Sequence, residues 1–417
     1  MPDLIIAHAR ELLTLAGDGP RRGADMDNLG IIEDGAVAIS GGRISAVGRG
    51  NDILRLATPA TRLIDTSDRV VMPGFVDAHT HLVFAGDRAA EFEQRLHGAT
   101  YLEILAAGGG ILRSVQATRQ ASPAALATQA RQRLASMLDH GTTTVEAKSG
   151  YGLDLASEMK MLAVATTLAA SQPITLISTF LAAHAIPPEF TGRADAYIDL
   201  IVNEMLPEVA STGIATFCDV FCYEGAFTVE QSRRVLQAAQ RHGLGLKIHA
   251  DEFAALGGAR LAAELGAVSA DHLAVTPAAD LAHMVRTNVI AVLLPGTTFG
   301  LGSSHYADAR AMIAAGLAVA LGTDLNPGTC YCTSMPFMIA LACRYLKLTP
   351  AEAICAATIN AAWASGVGVR VGSIEIGKQA DIIMLDIPDH RHLAYRFATN
   401  PVVTVIKSGQ EISNGHS

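Results

Sequence analysis

The chain has 417 residues, of which 50% are hydrophobic and 17% are charged, so it can bury a large core and is not an intrinsically disordered protein. Its formal net charge of −9 and its 5% aromatic content argue against a surface that binds nucleic acid or an anionic membrane. Every strongly apolar run is shorter than the ~20 residues of a membrane-spanning helix. We expect no secretory leader and no disulfides among the six cysteines, and therefore a cytoplasmic location.

Both ends of the chain carry the pattern of short β-strands. Residues 1–72 alternate apolar and polar side chains between glycine-rich turns, and residues 371–412 show the same pattern. Two β-rich ends on either side of a different central part can pair with each other. We therefore expect residues 1–72 and 366–417 to form one small β-sandwich domain built from both termini.

The central part, residues 73–365, alternates short apolar runs with segments that begin like helices, for example at Ser122-Pro123 and at the capping-box pair Thr228 and Gln231. Eight runs are predicted strands: Phe75–Ala78, Thr143–Ala147, Thr175–Thr179, Thr216–Phe221, Leu244–Ile248, Val268–Ala270, Val289–Leu293 and Val319–Leu321. They are apolar on both faces, as parallel strands covered by helices are. The predicted fold class is α/β, with a distorted (β/α)8 barrel favoured and a doubly wound open sheet as the alternative.

The longest interval between two predicted strands follows the first strand. Its central part, Phe84–Ser114, is too long for an ordinary connection in a compact domain. In (β/α)8 barrels, the loops that follow the strands build the active site. We therefore expect Phe84–Ser114 to be an elaborated active-site loop or lid.

A pair of histidines stands at the end of the first predicted strand. His79 and His81 are two residues apart, so in an extended chain their imidazoles face the same side. Imidazoles suit Zn²⁺ or Fe²⁺ as ligands. Two histidines alone are a weak signal for a metal site.

Further side chains of the ligand type stand at the ends of later predicted strands. They are His184, His249, His272 and Asp324. Histidines scattered over a surface would not fall at strand ends in this way. Because all carboxyl ends of parallel barrel strands meet at one face, the sequence predicts a metal centre there.

These motifs together resemble the amidohydrolase superfamily, in which a Pro-Gly-Phe-Val-Asp-x-His-x-His segment is followed by two single histidines and a Gly-Thr-Asp. Within it, eight segments in order are similar to the imidazolonepropionase family. They are HTHLVFAGDRAAEF (79–92), AKSGYGLD (147–154), TFLAAHAIP (179–187), DVFC (219–222), KIHADE (247–252), ADHL (270–273), LLPGTTFGL (293–301) and GTDLNPGT (322–329). The tail GSIEIGKQAD (372–381) resembles a strand of the superfamily's small β-domain.

The resemblance implies an activity and a cofactor. The activity is hydrolysis of the cyclic amide of 4-imidazolone-5-propanoate to N-formimidoyl-L-glutamate, the third step of histidine degradation. The implied ligands of one divalent ion per subunit, Zn²⁺ or Fe²⁺, are His79, His81, His249 and Asp324. Residues 217–224, on the fourth strand, contain no lysine that could bridge a second metal. A single ion still lowers the pKa of water to about 7.

The resemblance also implies roles for residues beyond the metal ligands. The candidate proton carriers are Glu252, His272 and Asp324, and which of them takes the first proton stays open. Arg88 is expected to bind the propanoate, because a guanidinium can pair with a carboxylate through two hydrogen bonds. The other implied substrate contacts are Tyr151, His184, Glu252, Asn326, Gly328 and Thr329.

Two other functions fit part of this pattern. One is a deaminase of the same superfamily that acts on a purine, a pyrimidine or formimidoylglutamate. The other is a catalytically silent, metal-stabilised binding protein on the same barrel. Arg88, Ser149–Gly152 and Asn326–Thr329 favour the ring-opening hydrolase. Its expected partners are a small anionic substrate and a second copy of the chain in a homodimer, with no nucleic acid and no membrane.

Overall fold

The computed structural model describes residues 1–99, 103 and 109–412. The strands of this part, β1 to β16 in chain order, span Leu4–Leu13, Ile31–Ser40, Arg43–Arg49, Arg62–Asp65, Val70–Pro73, Phe75–Asp77, Thr142–Lys148, Thr175–Ala183, Phe217–Cys222, Gly245–Ala250, Ser269–His272, Ile290–Leu293, Val319–Leu321, Ile382–Leu385, Val402–Lys407 and Gln410–Ile412. They form two separate sheets.

The α-helices of the described residues, α1 to α16 in chain order, span Gly50–Leu54, Ala89–Leu96, Ile111–Gln120, Pro123–Asp139, Leu155–Ser171, Ala194–Leu200, Leu206–Thr212, Val229–Arg241, Gly258–Leu265, Ala278–Thr287, Pro295–Gly300, Ala309–Ala314, Met335–Leu341, Pro350–Ala356, Ile359–Ala364 and Arg391–Tyr395. Short 3₁₀ turns span Gly23–Asp27 and Pro188–Phe190, and π-helical turns span Ile201–Met205 and Ala342–Leu346. Among these helices, none combines the length and the apolar character that crossing a bilayer requires.

The first sheet joins both ends of the chain. Its strands run in the order β16-β15-β14-β5-β1-β2-β3, and β4 pairs with β1. β14, from the C-terminal segment, pairs antiparallel with β5, from the N-terminal segment, so that Ile383 lies opposite Met72. One face of this sheet packs a buried apolar cluster that includes Ile6, Leu12 and Ile382. The prediction of a β-domain built from both termini is confirmed.

The second sheet is the predicted barrel. Its strands β6 to β13 are neighbours in chain order and pair in parallel. The ring closes just beyond the strands, where His81 N donates to Leu325 O at 2.9 Å and Asp324 N donates to His79 O at 2.9 Å. The (β/α)8 fold is therefore confirmed, and the doubly wound alternative is wrong, because an open sheet would leave β6 and β13 far apart.

The predicted strands and helix starts agree closely with the structure. β8 ends at Ala183, beyond the predicted end at Thr179, because its apolar run continues and stays buried. The capping box of Thr228 and Gln231 opens α8 as predicted. The expected long loop Phe84–Ser114 carries α2 and the start of α3, while residues 100–102 and 104–108 lie outside the described residues.

Candidate active site

The structure brings the four expected metal ligands together at the carboxyl end of the barrel. His79 and His81 follow β6, His249 lies in β10, and Asp324 follows β13. The ring centroids of His79 and His249 are 4.5 Å apart. Asp324 Oδ1 lies 3.5 Å from His79 Nε2 and also 3.5 Å from His81 Nε2. All four side chains are almost completely buried.

Several atoms of this cluster lack a partner. His79 Nε2, His249 Nε2 and Asp324 Oδ1 are buried and make no hydrogen bond to any described residue. Buried polar atoms are nearly always paired in folded proteins, since an unpaired one costs about 1–3 kcal/mol. Two imidazole nitrogens and a carboxylate oxygen are the ligand atoms that Zn²⁺ or Fe²⁺ takes. The residues present therefore fit a divalent metal ion.

The electrostatics of the cluster favour the neutral form of the His79 and His81 imidazoles. Burial lowers the pKa of His79 well below its usual value, and the positive charge of Lys148 lowers it further. Burial and the nearby His184 do the same to the pKa of His81. Burial raises the pKa of Asp324 to about 6, although Thr297, which donates to its Oδ2 at 2.5 Å, opposes that rise. A neutral imidazole is the form that binds a metal.

His272 and Glu252, two of the expected proton carriers, lie next to the metal-ligand candidates. His272 ends β11, and its Nδ1 lies 3.7 Å from Glu252 Oε1. Burial, with the neighbouring Asp324, raises the pKa of Glu252 well above its usual value. Both residues line one cavity of about 380 Å³, together with Thr297. A proton-holding carboxyl group beside an imidazole can serve as an acid–base pair.

His272 and Asp324 also share an unusual backbone conformation. Their φ angles are 75° and 52°, in the left-handed region that residues with a side chain rarely adopt. Such strain costs of order 1–3 kcal/mol and is typical of functional sites, where surrounding structure maintains it. The conformation turns each side chain at the end of its strand.

Histidines predicted for different roles are close neighbours in the structure. His79, His249 and His272 each place a ring nitrogen within 4.8 Å of the others, and so do His81, His184 and His249. His184 stacks on His81 with a centroid distance of 4.8 Å, and its Nδ1 lies 3.0 Å from Gly150 O. Geometry alone therefore leaves His184 and His272 near enough to be ligands as well as substrate contacts.

The expected carboxylate-binding residue, Arg88, lies at a second cavity of about 810 Å³. Its Nε donates to Glu91 Oε2 at 2.7 Å, and its Nη1 lies 2.2 Å from where a Cβ on Gly328 would be. A side chain at position 328 would require the guanidinium of Arg88 to move from this place. Arg95 and Arg133 line the same cavity, with Asp87 as its acidic lining residue. The cavity therefore carries an excess of positive charge.

Asn326 and Thr329 act mainly within their own loop. Asn326 Oδ1 accepts hydrogen bonds from the backbone N–H groups of Gly328 and Thr329, both at 2.8 Å. Asn326 Nδ2 donates to Thr329 Oγ1 at 2.9 Å and to Asp324 O at 2.7 Å. The Asn326 side chain thus shapes the loop that places Gly328 beside Arg88.

Tyr151 is buried beside the stacked rings of His81 and His184, with centroid distances of 5.6 and 5.4 Å. The loop that carries it is held by Glu158, which the sequence analysis missed. Glu158 accepts hydrogen bonds from the N–H groups of Gly150 at 3.0 Å, Gly152 at 2.7 Å and Leu153 at 2.8 Å. The sequence offered one sign of this role, because Glu158 stands in the first turn of α5, just after the Ser-Gly-Tyr-Gly segment.

Sequence reasoning also missed residues that contact the metal-ligand candidates. His79 Nδ1 lies 2.6 Å from Asp271 Oδ2, and His249 Nδ1 lies 3.0 Å from Asp219 Oδ2. Lys148 contacts both carboxylates. The sequence did indicate such contacts, because Lys148, Asp219 and Asp271 are charged residues inside apolar parallel strands, where charged side chains rarely occur without a partner.

Comparison with known proteins places these residues in a family. The profile of the amidohydrolase family matches residues 70–412. An imidazolonepropionase of Symbiobacterium thermophilum is 52% identical, covering 98% of this chain and 97% of the relative. That of Chloroflexus aggregans is 53% identical, with 98% of each chain covered. That of Geobacillus kaustophilus is 48% identical, with 99% of each covered.

Solved structures with the same fold are more distant in sequence. An adenosine deaminase of Xanthomonas campestris with bound zinc has a TM-score of 0.69 at 23% identity, covering 98% of this chain and 92% of that one. The Escherichia coli guanine deaminase has a TM-score of 0.71 at 15% identity, with 98% of each chain covered. At these identities the similarity supports the fold.

Proposed function

The chain belongs to the amidohydrolase family, and from its high identity to imidazolonepropionases we propose that it opens the ring of 4-imidazolone-5-propanoate to give N-formimidoyl-L-glutamate. It is a hydrolase of a C–N bond in a cyclic amide. In the reaction, the bond between the ring carbonyl carbon and its ring nitrogen breaks. The oxygen of water stays on the carbon, and the nitrogen receives a proton. This is the third step of histidine degradation.

The family is generally metal-dependent, and His79, His81, His249 and Asp324 are the residues that would hold one divalent ion, Zn²⁺ or Fe²⁺. The proposal is supported by their buried atoms without partners. Such an ion supplies Lewis acidity, which polarises a carbonyl and lowers the pKa of water. The neutral state of the His79 and His81 imidazoles, which burial favours, keeps their nitrogens available at neutral pH.

Proton movement is assigned to Glu252 and His272, which line the 380 Å³ cavity, and to Asp324, whose Oδ2 accepts a hydrogen bond from Thr297 of the same lining. Asp324, or Glu252 once it has lost its own proton, accepts the proton of the attacking water, and the same proton can pass to the leaving ring nitrogen. His272 donates a hydrogen bond to the carbonyl oxygen as negative charge develops there. The 3.7 Å between His272 Nδ1 and Glu252 Oε1 supports a shared role of these two groups.

Binding of the propanoate is assigned to Arg88. This assignment is supported by the position of Arg88 in a cavity that guanidinium groups line in excess over carboxylates. The protein as a whole has a net charge of −9. A local cation is needed there, because the overall negative charge repels an anionic substrate. Tyr151 and His184 enclose the ring between this cavity and the metal ligands, while Glu252, Asn326, Gly328 and Thr329 complete the proposed contacts.

The observation that carries the proposal is the high identity over 98% of the chain to several imidazolonepropionases. The test is to supply purified, Zn²⁺-loaded protein with 4-imidazolone-5-propanoate and, separately, with adenine, guanine and cytosine. We expect N-formimidoyl-L-glutamate from the first without release of ammonia, and little or no turnover of the nucleobases. Stoichiometric ammonia from a nucleobase, without ring opening of the imidazolone, would assign the chain to the deaminases instead.

Finer properties of the working enzyme are part of the proposal. We propose a homodimer in the cytoplasm that binds no nucleic acid and no membrane. The net charge of −9 and the absence of a bilayer-spanning helix among the described residues support the last two points. Sedimentation equilibrium of the metal-loaded protein tests the dimer, and elemental analysis of protein purified without added metal distinguishes zinc from iron.

A further inference from the structure

Next to the proposed metal ligands lies a cluster of five charged side chains with no exposed surface. They are Glu146 and Lys148 on β7, Asp219 on β9, Lys247 on β10 and Asp271 on β11. Burying charges is costly unless they are paired and hydrogen-bonded, and apolar residues of similar size often stabilise a core better. A buried cluster of this size therefore calls for a role beyond stability.

The contacts of Lys148 link this cluster to two of the metal ligands. Lys148 Nζ lies 2.7 Å from Asp219 Oδ2 and 3.5 Å from Asp271 Oδ2. The same oxygen of Asp219 lies 3.0 Å from His249 Nδ1, and the same oxygen of Asp271 lies 2.6 Å from His79 Nδ1. One ammonium group thus connects two carboxylates, and each carboxylate faces one histidine.

This arrangement selects the form of both imidazoles. A carboxylate opposite Nδ1 favours the tautomer with its proton on Nδ1, which leaves the lone pair on Nε2. The Nε2 atoms of His79 and His249 are both buried and make no hydrogen bond to a described residue. His249 Nδ1 also lacks a hydrogen bond of good geometry, so its link to Asp219 is the 3.0 Å contact between His249 Nδ1 and Asp219 Oδ2. Both histidines are therefore oriented with their metal-binding atoms free.

Two carboxylates so close to each other would repel without a positive charge between them. The ammonium of Lys148 supplies that charge, and its remaining contact is with Glu146 Oε1 at 3.0 Å. Other donors fix the far oxygens, since Val220 N donates to Asp219 Oδ1 at 2.7 Å and Ser269 Oγ donates to Asp271 Oδ1 at 2.6 Å. Lys148, Asp219 and Asp271 therefore each make hydrogen bonds to other residues of the barrel.

We propose that Lys148 is a positioning residue of the metal centre: it holds Asp219 and Asp271 so that His249 and His79 present their Nε2 atoms before the ion binds. The inference rests on the metal ligands of the proposed function. It assigns to Lys148 no contact with the substrate.

Lys247 provides a matched control. It is equally buried, and its Nζ lies 3.1 Å from Glu146 Oε2 and donates to Ala78 O at 3.1 Å. It has no such contact with Asp219 or Asp271. Glu146 accepts hydrogen bonds from Lys148 and Thr179, and one of its oxygens lies within 4.8 Å of a ring nitrogen of His79. Its replacement balances the loss of either lysine charge, and because both variants carry that replacement, a difference between them reports the lysine alone.

The experiment compares two double variants, Lys148→Met/Glu146→Gln and Lys247→Met/Glu146→Gln, which keep the net charge of the cluster. Co²⁺ affinity is measured by competition with a chromophoric chelator, and the visible absorption of bound Co²⁺ reports the ligand geometry. We expect roughly 10–100-fold weaker binding and an altered spectrum for the Lys148 variant, the scale of lost support around metal ligands. The Lys247 variant should keep the wild-type affinity and spectrum.

Equal affinity and spectrum in the two variants would overturn the inference. If Lys148→Met/Glu146→Gln does not fold, Lys148→Gln replaces it with the same two outcomes. Removing a nearby ammonium would by itself strengthen cation binding, so weaker binding reports lost positioning. These readouts need no substrate. A chain that binds Co²⁺ in this Lys148-dependent way but does not open the imidazolone contradicts the proposed function alone.

Discussion

Asp324 follows the last strand of the barrel and contacts the two histidines that follow the first one. Its Oδ1 lies 3.5 Å from His79 Nε2 and 3.5 Å from His81 Nε2. We predict that Asp324→Ala loses bound metal and hydrolytic activity, because it removes a charged ligand from a buried site. Elemental analysis of dialysed protein measures the metal. Asp308→Ala, which removes an exposed helix cap at α12, is the control and should keep both. Near-stoichiometric metal with full activity in Asp324→Ala would exclude Asp324 as a ligand.

His272 has two possible roles, because one of its ring nitrogens lies within 4.8 Å of those of His79 and His249. As an acid–base or oxyanion group it should be dispensable for the metal. We predict that His272→Asn retains the metal but loses roughly 10²-fold or more in kcat. Metal content and kcat are measured on the same preparation. Loss of the metal would show instead that His272 is a ligand.

Arg88 is expected to act on binding rather than on chemistry. We predict that Arg88→Met weakens substrate binding by about 1.5–3 kcal/mol, the net value of a hydrogen bond to a charged group. The loss should occur in KM, with unchanged metal content. Arg131→Met, which removes an exposed arginine of α4, should behave like the wild type. An unaltered kcat/KM in Arg88→Met would assign Arg88 to a solvated loop.

At the scale of elements, the site depends on how the loops after the strands are held. The loop between β7 and α5, which carries Tyr151, has the buried Glu158 as its common hydrogen-bond acceptor. Three backbone N–H groups therefore depend on one carboxylate. Burial raises the pKa of Glu158, while these three N–H groups lower it.

We predict that Glu158→Ala lowers the free energy of unfolding by several kcal/mol, since each buried N–H group left without an acceptor costs about 1–3 kcal/mol. KM should rise as well, because Tyr151 loses its fixed position. Glu158→Gln keeps one acceptor oxygen and should show a smaller change in both quantities. Urea unfolding gives the stability, and identical curves for Glu158→Ala and the wild type would contradict the assignment.

At the scale of the whole molecule, a buried ion pair joins the terminal sheet to the barrel. Lys407 Nζ, on β15, lies 2.6 Å from Asp381 Oδ2 and donates to Thr143 O at 2.9 Å and to Thr175 Oγ1 at 2.7 Å. Thr143 and Thr175 belong to the barrel strands β7 and β8. This pair therefore couples the two sheets at one buried point.

We predict that Lys407→Met lowers the free energy of unfolding by about 3–5 kcal/mol, because it leaves the Asp381 carboxylate buried without its partner. Denaturant unfolding measures this loss. Arg62→Met, which breaks the exposed pair with Glu411, is the control and should change stability by at most about 1 kcal/mol. Similar losses in both variants would mean that the Lys407 pair is no more important than a surface contact.

Local patterns in the sequence determined the fold class and much of the site. Apolar runs between helix-start signals predicted all eight barrel strands, since burial on both faces leaves a continuous apolar run. The ends of those strands then identified His79, His81, His249, His272 and Asp324 as neighbours, because parallel strands finish at one face. Resemblance to a family added the substrate and Arg88. The roles of these residues stay predictions until they are tested.

Only the tertiary structure decided which distant side chains touch. Lys148, Asp219 and Asp271 come from three strands, and the register between those strands, which no local pattern encodes, sets the contacts to His249 and His79. The pairing of β5 with β14, which builds one sheet from both ends, likewise depends on packing over the whole chain. Alternation and capping are properties of neighbouring residues, whereas pairing across the barrel depends on the complete set of contacts.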